Sequence, residues 1–492
     1  MQIRNIFFCG LLCLMMLVPG DGMNDVALAT TGNAGVYQKV TEMLENEPLL
    51  EGAVAGISVR SADTGELLYE YNGDIRLRPA SNMKLLTAAV ALSKLGPDYQ
   101  FSTEVWADGE INGKTLYGNL YLRGKGDPTL LPEDLQTIAK DLKKSGIDTI
   151  AGNVVADESW YDDIRHSPDL IWSDEHTYYG AQVSALTVSP DKEFDAGTAV
   201  LTIAPGERIG DPAKITVFPY VRGYVTIVNK ATTVSPDSSG EMKTTRKHGE
   251  NTIIIEGAIP LQAKPEKEWI SIWEPGKWTA HLFKKALQDE GVVVRGPVRT
   301  GVVPAGAKRL AVRKSMPLSE LLKPFMMLSN NGHADILTKE LGKTFCGEGS
   351  FEKGLQVLEE ELKRYGLMPG EYLIRDGSGI SHLTLLTANQ VSNLLYLVQK
   401  EPWFPVFFAS LPEAGNTERL GGGTMRHRFN GTPLAGQIRA KTGTLTTVTS
   451  ISGYMATKTG KKLIFSILFN NLLNEEAGKN LEDEIIAILW EQ

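Results

Sequence analysis

The chain has 492 residues, of which 42% are apolar and 22% charged, the composition of a globular protein with length for two to four domains. Its formal net charge of −9 argues against a nucleic-acid partner, which needs a basic surface to displace counterions; an anionic polymer would have to be met by local basic residues. Seven scattered histidines and three cysteines, with no His-Glu-x-x-His and no paired cysteines, speak against zinc, and no cofactor is expected.

In chain order, Met1 to Asn5 carries Arg4, Ile6 to Val18 is an apolar run, and Ala27-Leu28-Ala29 offers a small-x-small cleavage site. Together they read as an export signal over residues 1–29, giving an extracytoplasmic protein, periplasmic or wall-associated. The run is shorter than the roughly 20 apolar residues of a bilayer span, so no transmembrane anchor is expected after cleavage. Cys9 and Cys13 lack the preceding small residue of a lipoprotein signal, and cleavage leaves Cys346 without a disulfide partner.

A helix is predicted over Val36 to Leu44, then strands over Ala53 to Arg60 and Leu67 to Tyr71 about an Asp63-Thr64-Gly65 turn. Pro79-Ala80 leads into an apolar helix, Met83 to Leu95. The middle of the chain reads as short strands: Thr115 to Arg123, Asp148 to Ala156, Ala199 to Ile203, Ala213 to Ile227 and Asn251 to Ile259. The helix Pro132 to Ser145 falls between strands and suggests a βαβ-like unit; Thr232 to Glu250 reads as a polar loop, and Thr279 to Glu290 as a helix. Past residue 300 helices dominate: Leu318 to Met327, Ala334 to Thr344, Phe351 to Tyr365 and Ala388 to Gln399. Strands Thr446 to Thr457 and Lys462 to Asn470 flank a Thr459-Gly460 turn, and a closing helix, Asn480 to Trp490, is too short and charged to span a bilayer and should pack on a sheet.

Three motifs stand in order: Ser81-Asn82-Met83-Lys84, Ser329-Asn330-Asn331 and Lys441-Thr442-Gly443. A serine hydroxyl is a poor nucleophile until a base removes its proton. At helical spacing Ser81 and Lys84 share a face. A lysine of ordinary pKa, about 10.4, becomes a base when burial and a second cation lower it; Lys441 is the candidate cation. Ser329 could pass a proton to a leaving amine, and the Asn331 amide could hold Lys84 or a substrate carbonyl. An ammonium at Lys441 beside the hydroxyls of Thr442 and Thr444 suits a terminal carboxylate, and Gly443 clears the strand edge for a substrate peptide. By analogy with enzymes that carry this motif set, the backbone N–H groups of Ser81 and Thr444 are candidates for an oxyanion hole.

Single motifs are weak. Ser-x-x-Lys recurs at Ser189/Lys192, which reads as a turn before Pro190, and at Ser350/Lys353, where Ser350 reads as a helix cap. Lys458-Thr459-Gly460 sits between two strand-like segments and reads as a hairpin turn. Ser329-Asn330-Asn331 is the sole Ser-x-Asn in the chain.

The match extends further: Arg78-Pro79-Ala80-Ser81-Asn82-Met83-Lys84, Gly124-Lys125-Gly126-Asp127-Pro128-Thr129-Leu130, Asp376-Gly377-Ser378-Gly379, and Gly431-Thr432-Pro433 through Arg439-Ala440-Lys441-Thr442-Gly443-Thr444-Leu445. In these stretches the chain resembles the class C low-molecular-mass penicillin-binding proteins, the penicillin-binding protein 4 group of D-alanyl-D-alanine carboxypeptidase/endopeptidases. The resemblance implies an α/β (α+β) fold: a β-lactamase/DD-peptidase-like catalytic domain, an antiparallel sheet flanked by helices, with two inserted strand-rich accessory domains. Applied here, residues 30–98 and 300–492 form the catalytic domain. Of the inserted residues 99–299, approximately 99–190 plus 251–299 form one domain and 191–250 a second. The resemblance further implies acylation of Ser81 by peptidoglycan stem peptides and by β-lactam antibiotics, with Lys84 as base, Ser329 and Asn331 as relay and binding groups, and Lys441, Thr442 and Thr444 as the carboxylate and oxyanion region. Asp157, in Asp157-Glu158-Ser159-Trp160-Tyr161, resembles a family Asp that meets the free amine of diaminopimelate. Gly124 to Leu130 lacks Gly-Lys-Ser/Thr and reads as a structural turn. Two other readings are weighed: a β-lactamase, for which no deacylating Glu stands out, and a wall-binding protein without catalysis.

Overall fold

The structure, a computed structural model, describes residues 34–492; the expected export signal lies outside the described residues. Helix α1 (Ala34–Asn46) buries Tyr37, Val40 and Leu44 at helical spacing. Strands β1 (Val54–Ser61) and β2 (Leu67–Tyr71) pair as an antiparallel hairpin. Helix α2 (Met83–Lys94) is buried at every position from Met83 to Leu92, as its apolar sequence requires: no face of it could be left to water.

The chain then passes through β3 (Ser102–Ala107), β4 (Glu110–Asn112), β5 (Thr115–Tyr117), β6 (Leu120–Lys125), α3 (Pro132–Lys144), β7 (Thr149–Ile150) and β8 (Val154–Asp157). Strands β6 and β8 are parallel neighbours joined through α3, the βαβ unit expected. The segments Thr115 to Arg123 and Asp148 to Ala156 are each broken into two strands, at Gly118 and Gly152. A Cβ at Gly152 would stand 2.3 Å from the carbonyl oxygen of Gly118, so the breaks let two chain segments touch. Residues 158–197 hold no strand and no α-helix.

Next come β9 (Thr198–Ala204), β10 (Lys214–Phe218), β11 (Thr226–Val234), β12 (Met242–Arg246), β13 (Thr252–Pro260), β14 (Glu266–Ser271), α4 (Pro275–Asp289), β15 (Val293–Val294), β16 (Val298–Thr300) and β17 (Lys308–Lys314). Two expectations are corrected. Ala213 to Ile227 is not one strand: β10 stops at Phe218, before Pro219, which has no N–H for a ladder. Thr232 to Glu250 is not all loop, because it holds the end of β11 and all of β12, which pairs antiparallel with β13. The buried positions of β12 are Thr244 and Arg246, and of its inner face only the half-buried Met242 is apolar, too weak a signal to mark a strand. The sheets run β16-β8-β6-β3-β17, β15-β7-β5-β4, β10-β9-β14 and β11-β13-β12. The two three-stranded sheets share one core of Leu201, Ile203, Ala231, Ile253, Ile255 and Ile270.

The remaining chain is α5 (Leu318–Met327), α6 (Asn331–Cys346), α7 (Phe351–Leu362), α8 (Ala388–Val398), α9 (Phe404–Ser410), α10 (Arg419–Gly422), β18 (Ile438–Leu445), β19 (Val448–Ala456), β20 (Lys462–Asn470) and α11 (Glu475–Trp490). Ser350 caps α7, accepting from the amide of Lys353 at 3.2 Å. Strands from both ends of the chain form one antiparallel sheet, β18-β19-β20-β1-β2. Helices cover both faces: α1 and α11 share one core with the sheet, while α2, α5, α6, α7 and α8 share the other. This is the mixed fold expected, and it puts β18 at the sheet edge, where residues 412–414 bridge to residues 438–440 ahead of the Lys441-Thr442-Gly443 stretch. Lys458-Thr459-Gly460 lies at the β19–β20 turn, with Gly460 at φ +84°.

Candidate active site

Ser81 sits in a 3₁₀ turn, Ala80–Asn82, that runs directly into α2. The turn is clamped from several sides. Ala80 is buried with φ +48°, Ser450 Oγ donates to the Pro79 carbonyl at 2.7 Å, and a Cβ at Gly379 would fall 1.9 Å from the Ala80 oxygen. Strain of this kind persists where surrounding structure over-determines it.

Lys84, one turn along, is wholly buried. Its Nζ lies 2.9 Å from Ser81 Oγ, 2.7 Å from Asn331 Oδ1 and 2.7 Å from the Ser378 carbonyl. Burial pulls its pKa down to about 7, against the opposing charges of Asp335 and Asp376. Both carboxylates are themselves buried and pushed up, burial being the first cause in each.

Ser329 takes φ +59° at the end of α5. Lys441 Nζ donates to Ser329 Oγ at 2.8 Å and to the Thr442 carbonyl at 2.6 Å. Burial holds Lys441 well below the usual lysine range, with the charge of Lys84 as second cause. Burial and a second cation at Lys441 were expected to depress Lys84; burial is the first cause there, and the repulsion between the two ammonium groups falls on Lys441. A carboxylate arriving beside Lys441 would oppose that repulsion and favour its charged form.

On the edge strand β18, Thr442 Oγ1 donates to Thr424 Oγ1 at 2.7 Å, and Thr444 is exposed. A Cβ at Gly443 would lie 2.4 Å from Ser450 Oγ and 2.8 Å from the amide nitrogen of Ser81. The glycine therefore admits the Ser81 turn itself, where a substrate peptide was expected to need the room. A cleft of about 440 Å³ brings Ser81, Ser329, Asn331, Thr442, Gly443 and Thr444 to one wall system; Lys84 and Lys441 reach it from beneath through their serine partners.

Asp157 does not join them. It is fully buried at the end of β8, accepting from the Ser159 amide and hydroxyl at 2.9 and 2.6 Å and from the Val303 amide at 2.8 Å, with Arg123 Nε at 3.6 Å. A carboxylate so occupied presents nothing to an incoming amine, which corrects the substrate-binding expectation. The acid that borders the cleft is Asp174, beside Tyr178 and Tyr179. Sequence reasoning also missed Asp335, which stands four residues after Asn331 and so shares its helical face, and gave no role to Asp376 and Ser378, although their Asp-Gly-Ser-Gly run was visible. Gly124 is structural as expected: a Cβ there would meet the Ala185 oxygen at 2.1 Å.

A serine held at a helix start with a buried lysine in contact, a second serine–lysine pair facing it and an open strand edge alongside define a serine acyl-transfer site on a β-lactamase/DD-peptidase fold. Residues 36–492 match the D-Ala-D-Ala carboxypeptidase 3 (S13) family, and the chain belongs to that family. It is 40% identical over 462 residues to a D-alanyl-D-alanine carboxypeptidase of Actinomadura sp. (strain R39), covering 92% of this chain and 85% of that protein. It is 27% identical over 430 residues to the D-alanyl-D-alanine carboxypeptidase DacB of Haemophilus influenzae, covering 86% and 87%. The crystal structure of penicillin binding protein 4 (dacB) from H. influenzae superposes with a TM-score of 0.79 at 24% identity, covering 92% of this chain and 99% of that one, a likeness of fold. Among the described residues no helix is long and apolar enough to cross a membrane.

Proposed function

We propose that this serine DD-peptidase cleaves D-alanyl-D-alanine-terminated stem peptides and peptide cross-bridges of peptidoglycan through an acyl-enzyme on Ser81, and that β-lactams acylate the same hydroxyl. The supporting observation is the 2.9 Å contact between Ser81 Oγ and a lysine that burial has brought to about 7. In this reading neutral Lys84 takes the Ser81 proton as Oγ attacks the carbonyl of the penultimate D-residue. The amides of Ser81 and Thr444 receive the oxyanion. Ser329, in contact with Lys441, relays a proton to the departing amine, and Asn331 orients Lys84. Lys441, Thr442 and Thr444 receive the terminal carboxylate along β18. Water then hydrolyses the ester. An ammonium group on the stem peptide would meet Asp174 at the cleft wall. The substrate places the enzyme outside the cytoplasm, in keeping with residues 1–29 as an export signal. Residues 30–98 with the chain after β17 form the catalytic domain and the chain between them the insertion, a boundary later than the expected residue 299, as the pairing of β17 with β3 supports.

The test is mass spectrometry of the purified protein with penicillin, beside D-alanine release from a pentapeptide. A persistent adduct on Ser81 is expected. Ser81→Ala should lose both the adduct and release, the latter by up to about 10⁶-fold as for nucleophile removal elsewhere. Undiminished release in that variant would falsify the assignment; rapid turnover of penicillin without a lasting adduct would point to a β-lactamase.

A further inference from the structure

The irregular residues 158–197 are bonded side chain by side chain to the C-terminal half. Asp162 pairs with Lys339 at 2.5 Å. Asp169 accepts from Arg375 Nε and Nη2 at 2.9 and 3.1 Å and from Ser381 Oγ at 2.7 Å. Asn330 Nδ2 donates to the Phe194 carbonyl at 3.1 Å and to Asp195 Oδ1 at 2.8 Å. Two further contacts end on Asn331, which touches Lys84, and on Asp376, whose turn carries the carbonyl that does. The Tyr179 carbonyl accepts from Asn331 Nδ2 at 3.0 Å, which turns Oδ1 of that amide toward Lys84. Ser167 Oγ, buried, donates to Asp376 Oδ2 at 2.8 Å.

Asp376 closes its own turn by accepting from the amides of Gly379 and Ser381 at 2.7 and 2.8 Å. The carbonyl of Ser378, inside that turn, is a hydrogen-bond partner of Lys84. Ser167 supplies Asp376 with a donor from outside the turn, and it comes from the insertion. We propose that Ser167 is a positioning residue of the acyl-transfer site: acting through Asp376, its hydroxyl holds the Asp376–Gly379 turn so that the Ser378 carbonyl keeps Lys84 against Ser81. This rests on the reading of Lys84 as the base.

The contact has an electrostatic consequence as well as a geometric one. The Ser167 hydrogen bond favours the ionised form of Asp376, and that charge in turn raises the proton affinity of Lys84. The other charged groups around the pair are Asp335 and Lys339 on α6, Arg375 beside Asp376, and Lys441 on β18, none of which Ser167 touches. Loss of the hydroxyl therefore has a sign: Asp376 holds its charge less well, Lys84 gives up its proton more readily, and the acid limb of acylation moves to lower pH.

The test measures the second-order rate constant for acylation of the full chain by a fluorescent penicillin from pH 5 to 9, with thermal midpoints, for the native protein, Ser167→Ala and Ser167→Thr. Ser167→Ala should lower the plateau about ten- to a hundredfold, the range that an ångström of misplacement reaches, and move the acid limb to lower pH. Ser167→Thr, which keeps the hydroxyl, should return the limb to its native position. If Ser167→Ala does not fold, Ser167→Cys, similar in size with a weaker donor, is read by the same two measures. An unchanged plateau and limb overturns the proposal. So does a lowered plateau with a fixed limb, which marks a packing role only. A native protein that is acylated on Ser81 yet shows no acid limb overturns the base assignment instead, before any variant is compared.

Discussion

Lowering the pH from 8 to 5 tests the central assignment directly. Burial moves Lys84 from an ordinary value of 10.5 to about 7, a bias toward the neutral amine of roughly 5 kcal/mol. At pH 7 an ordinary lysine is neutral in about 0.03% of molecules, and one titrating near 7 in about half, a gain of roughly 10³ in available base. The reactive form is the deprotonated one, so acylation rises with pH and levels off above the lysine's pKa. Between pH 8 and pH 5 the neutral fraction falls from about 90% to about 1%, and acylation should fall by about ninetyfold. Stopped-flow fluorescence with a labelled penicillin follows the acylation step alone, apart from hydrolysis. A rate that is flat from pH 5 to 8, or that climbs only near pH 10, would refute the claim that burial makes this lysine the base.

Gly443→Ala would set a methyl 2.8 Å from the Ser81 amide and 2.4 Å from Ser450 Oγ; acylation should drop at least about 100-fold, the cost of one displaced oxyanion donor, while far-ultraviolet circular dichroism stays native. Asp157→Ala strips the partner from the Ser159 and Val303 donors and should cost about 1–3 kcal/mol of stability in a denaturant titration, leaving the kcat/KM ratio between substrates with and without a side-chain amine unchanged. Asp174→Asn should lower that ratio, and a ratio that follows Asp157 and ignores Asp174 would reverse the assignment.

The central sheet and its helices were legible because long runs of their residues are buried. β1, β20 and α2 are apolar at most of those positions, Ser58, Ser466, Asn470, Lys84 and Thr87 being the buried polar ones, so apolar runs bounded by turn signals placed them to within a few residues. β14 and β17 left no such trace. They read Glu-Lys-Glu-Trp-Ile-Ser and Lys-Arg-Leu-Ala-Val-Arg-Lys and lie at the edges of their sheets, where backbone pairing on one side suffices and charged side chains stay in water. β12 was hidden for a related reason: beside Met242 its inward positions are Thr244 and Arg246, the latter bonded to backbone carbonyls of Lys247, Glu250 and Glu175.

The three motifs exposed the groups proposed to react, but not what tunes them. Ser81 and Lys84 are neighbours on one helix, so spacing revealed their contact. Asp335 and Asp376 act on Lys84 from elements that only the tertiary fold assembles, and Ser167 acts on Asp376 across 209 positions of chain. Sequence periodicity reports a segment whose backbone pairs with itself. Residues 158–197 pair instead with partners elsewhere, through Asp162, Ser167, Asp169 and the Tyr179 and Phe194 carbonyls, and so read as featureless.

That blindness bears on why the insertion interrupts the catalytic half between Ser81 and Ser329. Two lysines buried within one hydrogen-bonded cluster repel and are poorly solvated, and the cluster holds together only if its carbonyl, amide and carboxylate partners cannot turn away. The helix and strand that carry the lysines cannot enforce this, because Asn331 and Ser378 lie on other elements with rotamers and turns of their own. Residues 158–197 take up the outward bonds of both, at Tyr179 and, through Asp376, at Ser167. A chain in which this stretch were replaced by a flexible linker should keep its central sheet, read by circular dichroism, but lose the fixed contact between Lys84 and Ser81, read as a lowered plateau rate of acylation. In this proposal the insertion is joined to the reaction through the placement of Lys84, besides any contact it makes with the peptide.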